Sequence, residues 1–192
     1  RPREAPSPSM SPRPPRARAR RTEHAGAAVP LPAAVRPLLA RLGRLGDARG
    51  LAVHAVGGCV RDWLLGRSIR PQGRGSRLRD LDVTVDGDGP AFAKVLAKAV
   101  GGTLQVHPAF GTATIRLRHP HATRRIDVAS GRRETYARPA AYPAVSRGTL
   151  EDDLFRRDFT VNAMALALNP GRFGTLIDPF HGARDLHQKR LR

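Results

Sequence analysis

Between residues 31 and 50 the apolar side chains Leu31, Val35, Leu38, Leu39, Leu42 and Leu45 return at helical spacing. This predicts an amphipathic helix that stops at Gly50. Residues 51–56 read as a strand, and the Gly57-Gly58 turn behind them opens a short helix over residues 59–65. The run Asp80-Leu81-Asp82-Val83-Thr84-Val85 alternates polar and apolar positions with the period of a strand. Residues 90–100 read as a helix, and residues 103–106, 112–117 and 125–129 as three further strands. A long loop is expected next, then helical character from Leu150 and again over residues 159–168. Leu176-Ile177 forms a short extended piece before Asp178-Pro179, and no internal repeat is present.

Composition changes this picture at the two ends. Residues 1–28 are rich in Pro, Arg, Ser and Ala and cannot bury a core, so a disordered Arg/Pro-rich extension is expected there. A basic arm touching RNA and a plain solvated tail both fit such a segment. Residues 29–192 are then the single domain that the 192-residue length allows. Residues 68–79 make a polar, basic loop. The chain opens on Arg1 rather than Met, which leaves its true start open.

The net charge is +18, and lysine occurs only at Lys94, Lys98 and Lys189, so arginine carries nearly all of it. Such a balance favours polyanions, meaning nucleic acid or nucleotides. Heavy use of Arg, Ala, Gly and Pro also fits a GC-rich coding sequence. Cys59 stands alone, which excludes an internal disulfide and a cysteine-based zinc cluster and fits a reducing cytoplasm. No apolar run approaches the roughly 20 residues of a membrane span, and no apolar secretory core lies near the start.

The candidate chemistry begins with Asp80 and Asp82. Residues two apart in a strand share a face, so both carboxylates point one way while Leu81, Val83 and Val85 fill the other. Side-by-side carboxylates repel unless a cation lies between them. Asp-x-Asp is common in loops but unusual in a β-branched strand. Asp127, between Ile126 and Val128, is a third strand-borne candidate, although a salt-bridged strand end would look the same. Gly57-Gly58 before a helix lets backbone approach a phosphate, and Arg61 one turn on could reach it; a plain turn and a surface arginine are the alternatives. The stretch from Glu151 to Ala165 packs charge against apolar residues, with Asp158 a possible cap for the helix expected to carry Phe159 and Met164.

The order of these segments is more specific than any one of them. Val56-Gly57-Gly58-Cys59-Val60-Arg61-Asp62, Asp80-Leu81-Asp82, Phe110-Gly111-Thr112, Ile126-Asp127-Val128, Arg132-x-Glu134-x-Tyr136, Glu151-Asp152-Asp153-Leu154-x-Arg156-Arg157-Asp158-Phe159-Thr160-Val161-Asn162-Ala163-Met164-Ala165 and Ile177-Asp178-Pro179-Phe180-x-Gly182 follow one another. Over residues 51–192 the chain closely resembles the head domain of the bacterial tRNA nucleotidyltransferase and poly(A) polymerase family, the class II branch of the polymerase-beta-like superfamily. The resemblance implies an α/β (α+β) fold, with a mixed, mostly antiparallel sheet of about five strands and helices on one face. It implies that Asp80 and Asp82 bind magnesium and that Asp127 orients or deprotonates the attacking hydroxyl. Gly57, Gly58, Arg61 and Arg157 are implied as contacts to the incoming nucleotide, with Asp158 and Asn162 supporting its pocket. The implied activity is template-independent, two-metal addition of CCA, or part of it, to the 3′ end of tRNA from CTP and ATP. Poly(A) polymerase shares the same head, and a non-catalytic RNA-binding remnant is the reading from another class. The family's base-selecting neck, and its body and tail, are expected to lie beyond Arg192, which would make the chain a piece of a longer enzyme. The insertion at residues 68–79 lengthens the family's usual spacing between Gly58 and Asp80, at little entropic cost.

Overall fold

A computed structural model describes residues 23–24, 29–66, 78–118, 123–135 and 144–192. Strand β1 (Glu23–His24) precedes helix α1 (Arg36–Asp47), strand β2 (Val53–Val56) and helix α2 (Gly58–Leu64). Strand β3 (Leu78–Val85), helix α3 (Gly89–Val100) and strands β4 (Gly102–His107), β5 (Thr112–Leu117) and β6 (Thr123–Ser130) follow. The rest comprises β7 (Arg132–Thr135), β8 (Ala144–Arg147), α4 (Leu150–Phe155), β9 (Ala165–Ala167), β10 (Leu176–Ile177) and α5 (Gly182–His187). Eight strands form one sheet in the order β1-β10-β9-β2-β3-β6-β5-β4, while β7 and β8 pair separately. All pairs in the large sheet are antiparallel except β3 with β6, which run parallel.

Register explains which face is core. Leu176, Leu166, Ala55, Val83, Val128 and Ala113 lie opposite one another across six strands, and all are buried. Helices α1, α2 and α3 cover that face with Leu39, Leu42, Val60, Trp63, Phe92 and Leu96. One residue along, the row changes character halfway. Ile177, Ala165 and Val56 are apolar and lie under Leu150 and Leu154 of α4. The same face continues into Asp82, Asp127 and Thr114, which stay partly open.

The mixed, mostly antiparallel sheet agrees with expectation, with eight strands rather than about five, two of them only two residues long. Most helices lie on one face as expected; α4 lies on the other. Two local expectations are corrected. Part of the long loop after residue 129 is the hairpin of β7 and β8. Residues 159–168 do not form a helix: a 3-10 turn at Thr160–Asn162 leads into β9. Residues 163–168 are all buried because β9 lies between β10 and β2 with packing on both faces. A strand covered on both sides loses its alternation and imitates a buried helix. The extension expected at residues 1–28 falls largely outside the described residues, as do residues 68–77 of the insertion; Glu23–His24 pairs with β10.

Local chemistry fixes the helix ends. Asp88 accepts a hydrogen bond from the Ala91 N–H at 2.9 Å, with Pro90 in the first turn of α3, and Gly101 ends the helix at φ 70°. Thr149 and Asp152 form a reciprocal capping box on α4. Asp178, fully buried, accepts from the Gly182 and Ala183 N–H groups at 2.7 and 2.9 Å and starts α5.

Gly43 of α1 is buried where a β-carbon would collide with the Leu168 carbonyl group. Gly43→Ala should therefore push α1 off the end of β9 and lower stability by about 1–3 kcal/mol, the range for overpacking a close-packed interior. Urea unfolding tests this, and an unchanged midpoint would show that α1 shifts at no cost.

Candidate active site

The parallel pairing of β3 with β6 sets Asp82 directly opposite Asp127 and Asp80 opposite Arg125. Asp80, Asp82 and Asp127 therefore share one sheet face. Asp82 and Asp127 line a cleft of about 310 Å³ whose walls include Thr112, Thr114, Arg156 and Arg157. Thr114 on β5 donates its hydroxyl to Asp127 Oδ1 at 2.7 Å. Arg125 Nε donates to Asp127 Oδ2 at 2.6 Å and lies 3.6 Å from Asp80 Oδ1. Arg125 is thus the counter-ion between two of the three carboxylates, and its hydrogen bond to Asp127 holds its own pKa above the usual value.

Asp82 is the least comfortable of the group. Burial raises its pKa first; Arg157 opposes that, and the charges of Asp127 and Asp80 add to the rise. Cys59, at the start of α2, is buried, and its thiol is pushed up to about 12 by burial and by the Asp82 charge. Its Sγ donates to the Val56 carbonyl at 3.3 Å. A thiol held protonated in this way is a poor nucleophile.

The arginine motif folds onto the same cleft. Asp153 on α4 is fully buried, and its Oδ1 accepts from Arg156 Nε at 3.0 Å and Nη2 at 2.6 Å. Its Oδ2 accepts from Arg157 Nη2 at 3.2 Å and from the Thr84 hydroxyl at 3.1 Å. Burial works to raise the Asp153 pKa, but the charges of Arg157 and Arg156 outweigh it, so the carboxyl lies below its ordinary range. Arg157 Nη1 occupies the space a β-carbon on Gly57 would need, and Gly57 adopts φ 77°. Only glycine meets both demands. Arg61 donates Nη1 to Asn162 Oδ1 at 2.7 Å and Nε to Asp62 Oδ1 at 2.9 Å, which joins an expected nucleotide contact to an expected support of its pocket from a distant segment.

Asp158 is exposed, and the turn after it has no side-chain cap, because the helix it was expected to start does not form. Arg125, Thr114, Thr84 and Asp153 were not singled out from the sequence. Arg125 and Thr84 could have been found, since each sits two residues from a candidate aspartate in a strand. Asp153 stands three and four residues before Arg156 and Arg157, the spacing of paired charges on a helix. Thr114 carries no such signal, because only the pairing of β5 with β6 brings it to Asp127.

Among the described residues no group of three His, Cys, Asp or Glu side chains is gathered tightly enough to hold a metal unaided. Asp80 and Asp82 form an all-oxygen pair, the donor type that suits a hard cation completed by substrate phosphates. Asp80 and Asp82 share one sheet face and Asp127 stands opposite Asp82, so these residues fit such an ion. No helix among the described residues is long and apolar enough to cross a membrane.

Comparison with known proteins identifies the family. Residues 53–192 match the family described as the Poly A polymerase head domain. The chain is 46% identical over 162 residues to the A-adding tRNA nucleotidyltransferase of Geobacter sulfurreducens, covering 84% of this chain and 17% of that protein. It is 42% identical over 137 residues to the CC-adding tRNA nucleotidyltransferase of Deinococcus radiodurans, covering 71% of this chain and 33% of the relative. The solved structure of the Thermotoga maritima CCA-adding enzyme complexed with tRNA superposes with a TM-score of 0.67 at 36% identity, over 85% of this chain and 33% of the other. The chain thus spans only a third or less of each of these relatives' length.

Proposed function

The chain belongs to the Poly A polymerase head-domain family, and on that premise we propose that it carries the catalytic head of a tRNA nucleotidyltransferase. The reaction joins the α-phosphate of CTP or ATP to the 3′-hydroxyl of tRNA and releases pyrophosphate. The observation that carries this reading is the register of Asp82 with Asp127 on the floor of a cleft walled by Arg156 and Arg157. Relatives named for A and CC addition to tRNA support tRNA over a poly(A) substrate.

Asp80 and Asp82 would hold magnesium, which when bound supplies positive charge to the phosphates and acidifies the attacking hydroxyl. The chain's own residues do the rest. Asp127, held in place by Thr114, is set to orient that hydroxyl and accept its proton. Arg125 donates to Asp127 and offsets the local negative charge. Arg157 above the Gly57 turn, and Arg61 beside Gly58, would bind triphosphate oxygens. Asn162 fixes the Arg61 fork, and Asp158 would complete the pocket from its exposed position. A reducing cytoplasm suits this activity and the single buried thiol.

The groups assigned to the nucleotide address phosphate and metal, and none reads a base edge. The chain should therefore bind CTP, ATP, GTP and UTP with magnesium at similar affinity, since choosing a base requires directed hydrogen bonds. Calorimetric titration of the four triphosphates measures this. Absence of magnesium-dependent binding for all four would overturn the proposed function, whereas clear preference for CTP and ATP would place base selection within the head.

A further inference from the structure

We infer that Asp153 is a positioning residue for nucleotide binding, acting through Arg157 and tying that guanidinium to the strand that bears Asp80 and Asp82. The inference rests on the proposed role of Arg157 at the triphosphate.

The geometry is a four-donor hub on one carboxylate. Oδ1 takes both contacts from Arg156, at 3.0 and 2.6 Å. Oδ2 takes Arg157 at 3.2 Å and the Thr84 hydroxyl at 3.1 Å. Two oxygens with two lone pairs each are thereby filled. The hub is fully buried, whereas the side chains of Arg156 and Arg157 are 29% and 20% exposed. An anion in the cleft can therefore meet the arginines but not the carboxylate beneath them.

Thr84 gives the hub its direction. It lies two residues from Asp82 on β3 and so on the same sheet face. The chain of contacts runs from the β3 backbone through Thr84 to Asp153 and on to Arg157. The arginine is thus referenced to the aspartate strand rather than only to its own six-residue helix. Asp153 takes one guanidinium N–H of Arg157, at Nη2, and Nε is buried, so a ligand in the cleft would meet the remaining η N–H groups. A guanidinium already held in place loses less freedom when a phosphate arrives, which tightens binding without any contact from Asp153 itself.

The test is a double-mutant cycle on this chain, read as MgATP affinity by calorimetry. Arg157→Ala should weaken binding by about tenfold or more, as expected for loss of a charge-assisted contact. Asp153→Asn keeps the volume but turns one oxygen into a donor, and should weaken binding about 3–10-fold. The decisive result is the double variant, which should bind no more weakly than Arg157→Ala alone, because Asp153 acts only through that arginine. Manganese binding followed by electron paramagnetic resonance should stay the same in Asp153→Asn, since Asp80 and Asp82 are untouched. Wild-type affinity in Asp153→Asn would overturn the inference, as would a further loss in the Arg157→Ala background. Wild-type affinity in Arg157→Ala would instead overturn the role of Arg157 and the reading beneath it. If Asp153→Asn does not fold, Thr84→Val takes its place in the cycle, with about a twofold to threefold effect expected from loss of one neutral hydrogen bond.

Discussion

Replacing Asp82 by asparagine should raise the melting temperature of the metal-free protein and at the same time sharply reduce the proposed nucleotidyl transfer. Asp82 is half-buried, has Asp127 directly opposite on the next strand, and shares its face with Asp80. Burial, partly opposed by Arg157 and reinforced by the two neighbouring carboxylates, raises its pKa above the ordinary 3.8. For an acid whose folded pKa is raised, the folded state holds the proton more tightly than the unfolded state. Stability then falls as pH rises from the ordinary value through the raised one. Asparagine keeps the shape and removes the charge, so a gain of about 0.5–2 kcal/mol is expected, the usual yield when a functional strain is relieved. At about 2–4 °C per kcal/mol for a chain of this size, the shift is readily seen. Magnesium should stabilise the wild type by binding the native state, and Asp82→Asn much less. Transfer of labelled nucleotide should fall by on the order of 10³-fold, since several kcal/mol of charge stabilisation is lost. Thermal melts at pH 4 and pH 7, with and without magnesium, decide the matter. A lower metal-free melting temperature for Asp82→Asn at pH 7 would show that the charge is already compensated and would remove the argument for a cation.

The opposite behaviour is expected at Asp153. Asp153→Ala should destabilise the fold by about 3 kcal/mol, the lower end of the range for breaking a buried ion pair by removing one partner. The lower end applies because Arg156 and Arg157 are 29% and 20% exposed and regain some hydration. Thr84, fully buried, also loses its acceptor. Burial disfavours the ionised Asp153, yet the two arginine charges prevail and hold its pKa below 3.8. A depressed folded pKa contributes stability that is present above the unfolded value and lost as pH falls through the folded one. The wild type and Asp153→Ala should therefore differ most near neutral pH and converge in acid. Urea unfolding across that pH range measures both features. A constant difference at every pH would show that the loss comes from packing rather than from the charge.

The two aspartates thus behave in opposite ways for one physical reason. Asp153 is buried with two cations and a hydroxyl in place, so its charge is satisfied within the chain. Asp82 is half-buried beside two other carboxylates, with Arg157 only partly offsetting them. Sites of chemistry are where such unbalanced charge is expected.

The alternation Asp80-Leu81-Asp82-Val83-Thr84-Val85 by itself determined that both aspartates share a strand face and that the opposite face enters the core, because side chains alternate strictly along a strand. Helices α1 and α3 were legible from their apolar spacing, and α3 also from Pro90 and Gly101, since those signals depend only on nearby residues. Residues 163–168 misled for the reverse reason: they are buried on both sides, and an apolar run with no polar face carries no period to read. What only the tertiary structure decided is adjacency. That β6 rather than another strand lies beside β3, parallel and in the register that sets Asp127 against Asp82, follows from how the whole sheet closes over its helices. A slip of one residue would have turned Asp127 into the core. The meeting of Asp153 with Thr84, 69 residues apart, has the same origin. Backbone periodicity is a local property and can be read from one segment; the pairing of distant segments is settled only when their buried faces compete for the same core.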